Sequence, residues 1–210
     1  MAMVSPKRAL VYGFGVNDAN YRTSIVIGGK KTWCVFFTTW KNMLRRCYDK
    51  KFQEKNKSYR GCEVVAEWRR FMAFREWMSV QQWRGMHIDK DLIGDGKVYG
   101  PEACVFISRS VNAFIAGSGC NRRSLVNAGL PRGVCFRDGR FRAQINVAGK
   151  KTEIGCYKTP SEAHAAWASA KAKMAFQLAE SQCAGSVADA LRQFGIAILE
   201  ESKKQIERVK

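Results

Sequence analysis

Arginine and amide side chains alternate with apolar ones between residues 140 and 147, in a pattern that can recognise nucleic acid. Arg140, Arg142, Gln144 and Asn146 occupy every second position. Because side chains of a β-strand alternate between its two faces, these four belong on one face. Arginine pairs bidentately with guanine, and glutamine or asparagine with adenine. The spacing therefore predicts a sheet face that contacts phosphates and base edges; the alternative is a solvated polar face.

The surrounding sequence predicts a three-stranded antiparallel sheet covered by a helix. Asp138-Gly139 is a typical hairpin dipeptide, and Ala148-Gly149 is a second, weaker turn signal. The apolar residues of the middle strand need a cover: Phe141, Ala143, Ile145 and Val147. Ser161 is predicted to begin the covering helix, preceded by Pro160. Apolar residues then recur at helical spacing: Ala163, Ala166, Trp167, Ala170, Met174 and Leu178.

This stretch resembles the ethylene-response-factor class of plant DNA-binding domain, which also occurs in phage and bacterial mobile endonucleases. The matching motifs are Arg132-Gly133-Val134, Gly139 to Ile145, Ile154 to Tyr157, Thr159 to His164 and Ala166-Trp167. The resemblance implies a sheet that lies in the major groove with a helix behind it. Carried over by position, the DNA contacts fall on Arg132, Arg137, Arg140, Gln144, Asn146 and Lys151. Cys135 replaces an arginine of the plant pattern, and both sheet tryptophans are missing, so base preference does not transfer.

The composition favours a polyanionic partner. The 210 residues include 36 Lys and Arg against 18 Asp and Glu, a formal charge of +18. Nucleic acid is the first candidate for a chain this basic, and a membrane surface is the second. No apolar run approaches the roughly 20 residues that span a bilayer, and the N-terminus lacks the apolar stretch of a secretory signal. Eight cysteines without a CxxC pair favour a reducing compartment, so we expect a cytoplasmic protein of a bacterial or phage-infected cell.

Residues 83–115 predict the order strand, loop, strand, helix. His87 to Asp91 is predicted as the first strand, and Gly94-Asp95-Gly96 as a turn. Cys104 to Ile107 is predicted as the returning strand. Ser108 can cap a helix that carries Asn112. This order brings together a strand with His and Asp and a helix with Asn.

The arrangement resembles the HNH, or ββα-metal, nucleases. The matching motifs are Trp40 to Cys47, Tyr59-x-x-Cys62, Glu67-Trp68-x-x-Phe71, Asp89-Lys90-Asp91, Gly96 to Cys104 and the Asn112 helix. The resemblance implies a Mg²⁺ or Mn²⁺ ion at the scissile phosphate, with Asp89 and Asn112 as its ligands and His87 as the base that activates water. A structural zinc site is not expected, because Cys47, Cys62, Cys104 and His87 include no close ligand pair.

Two positions depart from the HNH pattern. Ile88 separates His87 from Asp89, although strand alternation predicts both on the same face. Ala103 stands where the family commonly has an asparagine that braces the loop. The alternative is therefore an inactive HNH-like domain that only binds DNA.

Other segments predict the remaining elements. Gly28-Gly29 predicts a hairpin turn between Ser24–Ile27 and Lys31–Cys34. A helix is predicted from Thr38, with Trp40, Met43, Leu44 and Cys47 on its apolar face, and another from about Val65 to Met78. Asp189 to Val209 predicts a final amphipathic helix, which packs on the first domain, pairs in a dimer or stands apart.

The predicted fold class is α+β in four parts. Residues 1–115 form an HNH-like domain with extra helices, and residues 116–130 a basic linker in which Arg122 and Arg123 track phosphates. Residues 131–183 form the DNA-binding sheet domain, and 184–210 the final helix. The predicted function is an endonuclease that binds double-stranded DNA selectively and nicks or cuts it with a divalent metal. A DNA-binding regulator without activity and a nucleoprotein structural component are the alternatives; no membrane partner is expected.

Overall fold

The chain folds as mixed α+β, with several small sheets and a pair of C-terminal helices. The computed structural model describes residues 9–94, 96–117, 129–147, 149–182 and 185–207. Two compact units divide the chain, Met1–Phe106 and Ile107–Lys210. The predicted first domain ends at residue 115, nine residues beyond this division. Most of the predicted linker lies outside the described residues.

The first unit begins with a hairpin and then becomes helical. Its elements are β1 (Ser24–Ile27), β2 (Lys30–Trp33), α1 (Val35–Tyr48), α2 (Lys50–Lys55), β3 (Glu63–Val64), α3 (Phe71–Ser79), β4 (His87–Asp89), β5 (Val98–Tyr99) and β6 (Val105–Ile107). The division between the units falls within β6, so Ile107 belongs to the second unit. Short 3-10 turns cover Lys57–Tyr59 and Ala66–Arg69. The turn between β1 and β2 is the predicted one, since Gly28 and Gly29 have positive φ angles of 55° and 74°. β3 pairs with β5 in parallel, and β4 pairs with β6.

Aromatic side chains form the core of the first unit. The predicted apolar face of α1 is confirmed, because Trp40, Met43, Leu44 and Cys47 are all buried. The Trp40 indole N–H donates to the Trp68 carbonyl at 2.8 Å, which satisfies a polar group in this core.

The prediction of one helix from Val65 to Met78 is wrong. Arg70 has an extended backbone, with φ −89° and ψ 128°, and it separates the 3-10 turn from α3. Backbone bonds from Val16 to the Arg69 carbonyl and from Phe71 to the Val16 carbonyl, at 2.8 and 3.0 Å, hold this break. The Asp18 carboxylate accepts from the Met72 N–H at 2.9 Å and so satisfies one of the free donors at the start of α3. Distant residues therefore override the local helical periodicity.

The second unit contains the predicted sheet and its covering helix. Its elements are α4 (Arg109–Ala116), β7 (Val134–Arg137), β8 (Arg140–Val147), β9 (Lys150–Tyr157), α5 (Pro160–Ser181) and α6 (Ser186–Glu207). The three strands are antiparallel in the order β7-β8-β9. Asp138 and Gly139 form the first turn with positive φ angles of 53° and 72°, as Asp-Gly predicts.

Caps define where the helices of the second unit begin. Ser108 caps α4 as predicted, because its hydroxyl accepts from the Val111 N–H at 3.2 Å. Ser161 does not begin α5. Thr159 is the N-cap, and Pro160 is the first helical residue. Thr159 and Glu162 each accept a bond from the other's backbone N–H, both at 3.2 Å, which is the reciprocal pattern of a capping box.

The final helix, predicted over residues 189–209, spans Ser186–Glu207 and packs against α5. Ile198 joins the core between sheet and helix, which also contains Val134, Ala143, Ile145, Ala163, Trp167 and Ala168. The Phe194 ring lies 5.9 Å from the Phe114 ring of α4. α6 is thus part of the second unit. Among the described residues, no helix is long and apolar enough to cross a membrane.

Candidate nucleic-acid interface

The sheet presents the predicted polar side chains on the face opposite α5. Arg137 pairs with Arg140 across the β7–β8 ladder, and Asn146 pairs with Lys151 across the β8–β9 ladder. The predicted alternation is confirmed in the middle of β8, because Ala143 and Ile145 are 0% and 3% exposed on the covered face, whereas Arg140 is exposed. It is wrong at the end of the strand, where Val147 is 41% exposed instead of covered. The polar face of the sheet consists of Arg137, Arg140, Arg142, Gln144, Asn146, Lys151 and Glu153; we call it the sheet face.

Arg142 is the centre of an ionic network on the sheet face. Its Nη1 lies 3.0 Å from Glu153 Oε2, and its Nη2 lies 2.9 Å from Asp138 Oδ2. The hydrogen bond from Arg142 is the main cause that lowers the pKa of the Glu153 carboxyl. Arg142 of β8 therefore connects the β7–β8 turn, through Asp138, with β9, through Glu153. Sequence reasoning missed this pairing because Glu153 reaches Arg142 only through strand register.

The remaining cations of the sheet face are not compensated in this way. Arg137 lies 3.5 Å from the shared Asp138 carboxylate, and its side chain is 77% exposed. Among the described residues, Arg140 and Lys151 have no carboxylate within ion-pairing distance. Asp138 and Glu153 are thus engaged by Arg142 and Arg137, and Arg140 and Lys151 remain available to an anionic ligand.

Arg132 lies at the start of the sheet and is held through its backbone. His164 of α5 has its Nδ1 2.9 Å from the Arg132 carbonyl, and the Arg132 side chain is exposed. The next residue, Gly133, has φ 79° and packs directly against the Trp167 indole. Helix and sheet together therefore set the position of Arg132.

Asn146 lies at the far end of the sheet face. It is close to Gly117, where a Cβ atom would lie 3.5 Å from the Asn146 amide nitrogen. It also lines a cavity of about 780 Å³ with apolar residues of α4 and α5, among them Phe114, Met174 and Leu178. Asn146 therefore lies at the edge of the sheet face, next to the end of α4 and to α5, rather than fully on the face opposite α5. The predicted phosphate contacts Arg122 and Arg123 lie outside the described residues.

A buried lysine secures the end of α4, and sequence reasoning did not find it. Lys171 of α5 is 2% exposed and donates to the carbonyls of Phe114 and Gly117, the latter at 2.9 Å. Burial, followed by the charge of Arg132, lowers the pKa of Lys171 to about 8. A cation at a helix C-terminus satisfies free carbonyl groups and complements the helix dipole.

The candidate catalytic residues are placed less favourably than the sheet face. Asp89 is 6% exposed, and its Oδ1 accepts from the N–H groups of Asp91 and Leu92 at 3.0 and 2.8 Å. Burial raises the pKa of this carboxyl. His87 is exposed, so alternation on β4 does not give the two side chains the same environment. Asn112 is exposed on α4 and belongs to the second unit, whereas Asp89 belongs to the first.

A buried lysine next to Asp89 was also missed. The Lys90 ammonium is 2.7 Å from Asp91 Oδ1 and 2.6 Å from the Gly96 carbonyl. It also lies 5.8 and 5.7 Å from the centres of the Tyr59 and Tyr99 rings. Asp89 and Lys90 together brace the loop that follows β4. Within the described ranges, no group of three or more His, Cys, Asp or Glu side chains is arranged to hold a metal ion.

The cysteines considered for zinc are core residues. Cys47, Cys62 and Cys104 are all buried. Burial raises the pKa of both Cys47 and Cys104 to about 12, which favours the neutral thiol. These side chains pack as small apolar groups.

Comparison of the chain with protein-family models, curated proteins and solved structures finds no match.

Proposed function

We propose that the second unit binds double-stranded DNA through the sheet face. The observation that supports this most is the distribution of charge. Asp138 and Glu153 pair with Arg142 and Arg137, so among the described residues Arg140 and Lys151 on the sheet face, and Arg132 at the start of the sheet, have no carboxylate partner. Duplex DNA presents closely spaced phosphates that such a row can neutralise.

The form of the sheet also suits a duplex. Strands of a β-ribbon fit the major groove, where each base pair shows a distinct set of donors and acceptors. Gln144 lies near the middle of β8 and carries both an amide donor and an amide acceptor. Cations at the ends of the strands would contact phosphates, and Gln144 would contact base edges, which makes the binding selective for sequence.

Substitution of Arg140 tests the sheet face. We expect Arg140→Ala to weaken duplex binding by about 1–3 kcal/mol, because a phosphate or base contact is lost. Lys203→Ala and Lys204→Ala are matched controls, since both lysines are exposed on α6. The measurement is fluorescence anisotropy with a labelled duplex at one fixed salt concentration. Equal losses for Arg140→Ala and the controls would place the binding surface elsewhere.

Arg142→Ala provides a second test of the same face. We expect it to weaken binding at least as much as Arg140→Ala, because it also frees the Asp138 and Glu153 carboxylates, which then repel phosphates. Adding Glu153→Gln to Arg142→Ala should restore part of the affinity. No recovery would contradict this electrostatic account.

A metal-dependent endonuclease is the second candidate function. The observation that favours it is the order β4, β6, α4, in which Ser108 caps the helix that carries Asn112. A carboxylate and an amide oxygen suit Mg²⁺, which commonly keeps several waters and takes only one or two carboxylates from the protein. When bound, the ion would stabilise charge on the scissile phosphate. Asp89 and Asn112 would hold it, and His87 would accept the proton from water.

Plasmid nicking in Mg²⁺ or Mn²⁺ tests this second function. Asp89→Asn keeps an oxygen that can accept from Asp91 and Leu92 but removes the charge, so the loop is retained and we expect nicking to be lost. Asn112→Ala should have the same effect, and His87→Ala should lower the rate about 10²–10⁴-fold. Exposed Gln82→Ala is the control. Absence of nicking by the unaltered protein favours a DNA-binding regulator without activity, and nicking that survives all three changes would show that the site lies elsewhere.

Selectivity separates these functions from a nucleoprotein structural component. A structural component neutralises any duplex of equal length, whereas a reader that uses Gln144 prefers certain sequences. Enrichment of a shared sequence from random duplexes is the expected result, and its loss in Gln144→Ala would link the preference to the sheet face.

A further inference from the structure

The β1–β2 hairpin exposes apolar and basic side chains together. Ile25, Val26 and Ile27 are 54%, 69% and 62% exposed, and Lys30 and Lys31 on β2 are exposed as well. No acidic residue lies between positions 22 and 33. Three adjacent β-branched apolar residues so open to solvent are costly unless a partner covers them.

Strand register distributes the two kinds of side chain over both faces of the hairpin. Val26 pairs with Lys31, and Ile27 pairs with Lys30. Neighbouring pairs point to opposite faces, so one face carries Ile25, Ile27 and Lys30, and the other carries Val26, Lys31 and Trp33. Both faces thus combine apolar side chains with one lysine, which suits a partner that contacts the hairpin from two sides.

The base of the hairpin is anchored to the core of the first unit. Cys34 donates its N–H to the Thr23 carbonyl at 2.8 Å, and the Trp33 ring stacks 5.4 Å from the Phe37 ring, which is buried in that core. The ammonium groups of Lys31 and Lys41 lie 4.2 and 5.2 Å from the centre of the Trp33 ring. The cationic surface therefore continues from the hairpin to α1.

We propose that the β1–β2 hairpin is a second duplex-DNA contact, which enters a groove tip first, so that each face turns one lysine toward the phosphates of one wall, Lys31 with Val26 beside it and Lys30 with Ile27 beside it. A major groove admits a two-stranded ribbon and offers phosphates on both walls, which matches a hairpin with a lysine on each face. Thymine methyl groups in the major groove provide an apolar surface for the β-branched side chains near the tip. The inference rests on the proposed function only in that duplex DNA is the common ligand.

The two other occupants fit the hairpin less well. A bilayer would accept the apolar residues, but the tip is Gly28-Gly29 followed by two lysines, and insertion of either face would carry a lysine inward. A second copy paired on one face in a symmetric dimer would bring lysines of like charge together. Charge complementarity therefore favours DNA.

Duplex affinity measured as a function of salt tests the hairpin. Lys30→Ala with Lys31→Ala should reduce the slope of log K against log salt by about 1.8, since each phosphate contact contributes about 0.9. The matched control is Lys50→Ala with Lys51→Ala, because these lysines are exposed on α2 of the same unit. Val26→Ser should weaken binding about 3–10-fold without changing the slope, as expected for an apolar contact. Val80→Ser is its control, because Val80 is 80% exposed.

The outcomes separate the hairpin from the sheet face. Losses from the hairpin variants and from Arg140→Ala should add in free energy, because the changes lie in different units and share no partner. Hairpin losses with no effect of Arg140→Ala support the hairpin and overturn the sheet face. Hairpin variants that bind DNA as tightly as their controls would overturn the inference. Hairpin variants that bind DNA normally but lose binding to phosphatidylserine vesicles, or lose self-association in sedimentation, would also overturn it. Circular dichroism of each variant verifies that it is folded.

Discussion

Arg140 and Arg142 show how two residues with the same sequence signal acquire different roles. Both lie on β8 and both were predicted to contact DNA. Arg140 is exposed and has no carboxylate partner among the described residues, whereas Arg142 binds Glu153 and Asp138. Exposed ion pairs contribute little to stability, but they do orient the side chains that form them. Arg142 therefore organises the sheet face, and Arg140 is available to a ligand.

Gly133 is the residue at which backbone geometry and packing coincide. Its φ is 79°, and a Cβ atom would overlap the Trp167 indole. We expect Gly133→Ala to lower the free energy of unfolding by at least about 2 kcal/mol, because left-handed strain and overpacking of the core act together. Gly139→Ala is the control: φ is 72° and no atom lies within 4 Å of the added Cβ, so the cost should be about 1–2 kcal/mol. Denaturant unfolding of both variants measures the difference. Equal destabilisation would mean that the Trp167 contact does not constrain this position.

At the scale of elements, capping residues and hydrogen bonds from distant segments of the chain decide where helices begin. The apolar periodicity predicted α1 and α5 well, but it also predicted a continuous helix through Arg70, where Val16 and Asp18 impose a break. Ser161 and Thr159 are both good capping residues by type. Only the reciprocal bonds with Glu162 identify Thr159 as the cap.

Removal of the cap hydroxyl tests this assignment. Thr159→Ala should lower the free energy of unfolding by about 1 kcal/mol, because the Glu162 N–H loses its acceptor. Ser161→Ala should be nearly neutral or slightly stabilising, since alanine is the better helix former inside the first turn. The comparison is made by thermal unfolding at one pH. A larger loss for Ser161→Ala than for Thr159→Ala would contradict the capping box.

At the scale of the whole molecule, the formal charge of +18 is the dominant property. It is carried by both units: the sheet face lies in the second, and the β1–β2 hairpin in the first. The candidate nuclease residues are divided between the units, with His87 and Asp89 in the first and Asn112 in the second. A duplex long enough to reach both units is therefore the appropriate ligand for binding and cleavage assays.

Affinity for such a duplex should fall steeply with salt. Arg132, Arg140 and Lys151, the three proposed phosphate contacts without a carboxylate partner among the described residues, should contribute a log–log slope of about −2.7, at about −0.9 for each contact. The hairpin lysines should make the slope steeper. Anisotropy titrations over a range of salt concentrations measure it, and Arg140→Ala should reduce the slope by about 0.9. A response independent of salt would contradict a phosphate-binding function for this chain.

The sequence by itself determined the local features of this protein. Alternation placed Ala143 and Ile145 inside and Arg140 outside, Asp-Gly and Gly-Gly located two turns, and three- and four-residue spacing located the buried face of α1. These features follow from neighbours along the chain. The tertiary structure alone decided that Asp138 and Glu153 both pair with Arg142. It also decided that Lys171 donates to the Gly117 carbonyl at the end of α4, and that Asp89 accepts from the Leu92 N–H in the loop after β4. These contacts join residues through strand register, helix packing and loop closure, so residue type and local spacing do not specify which partners meet.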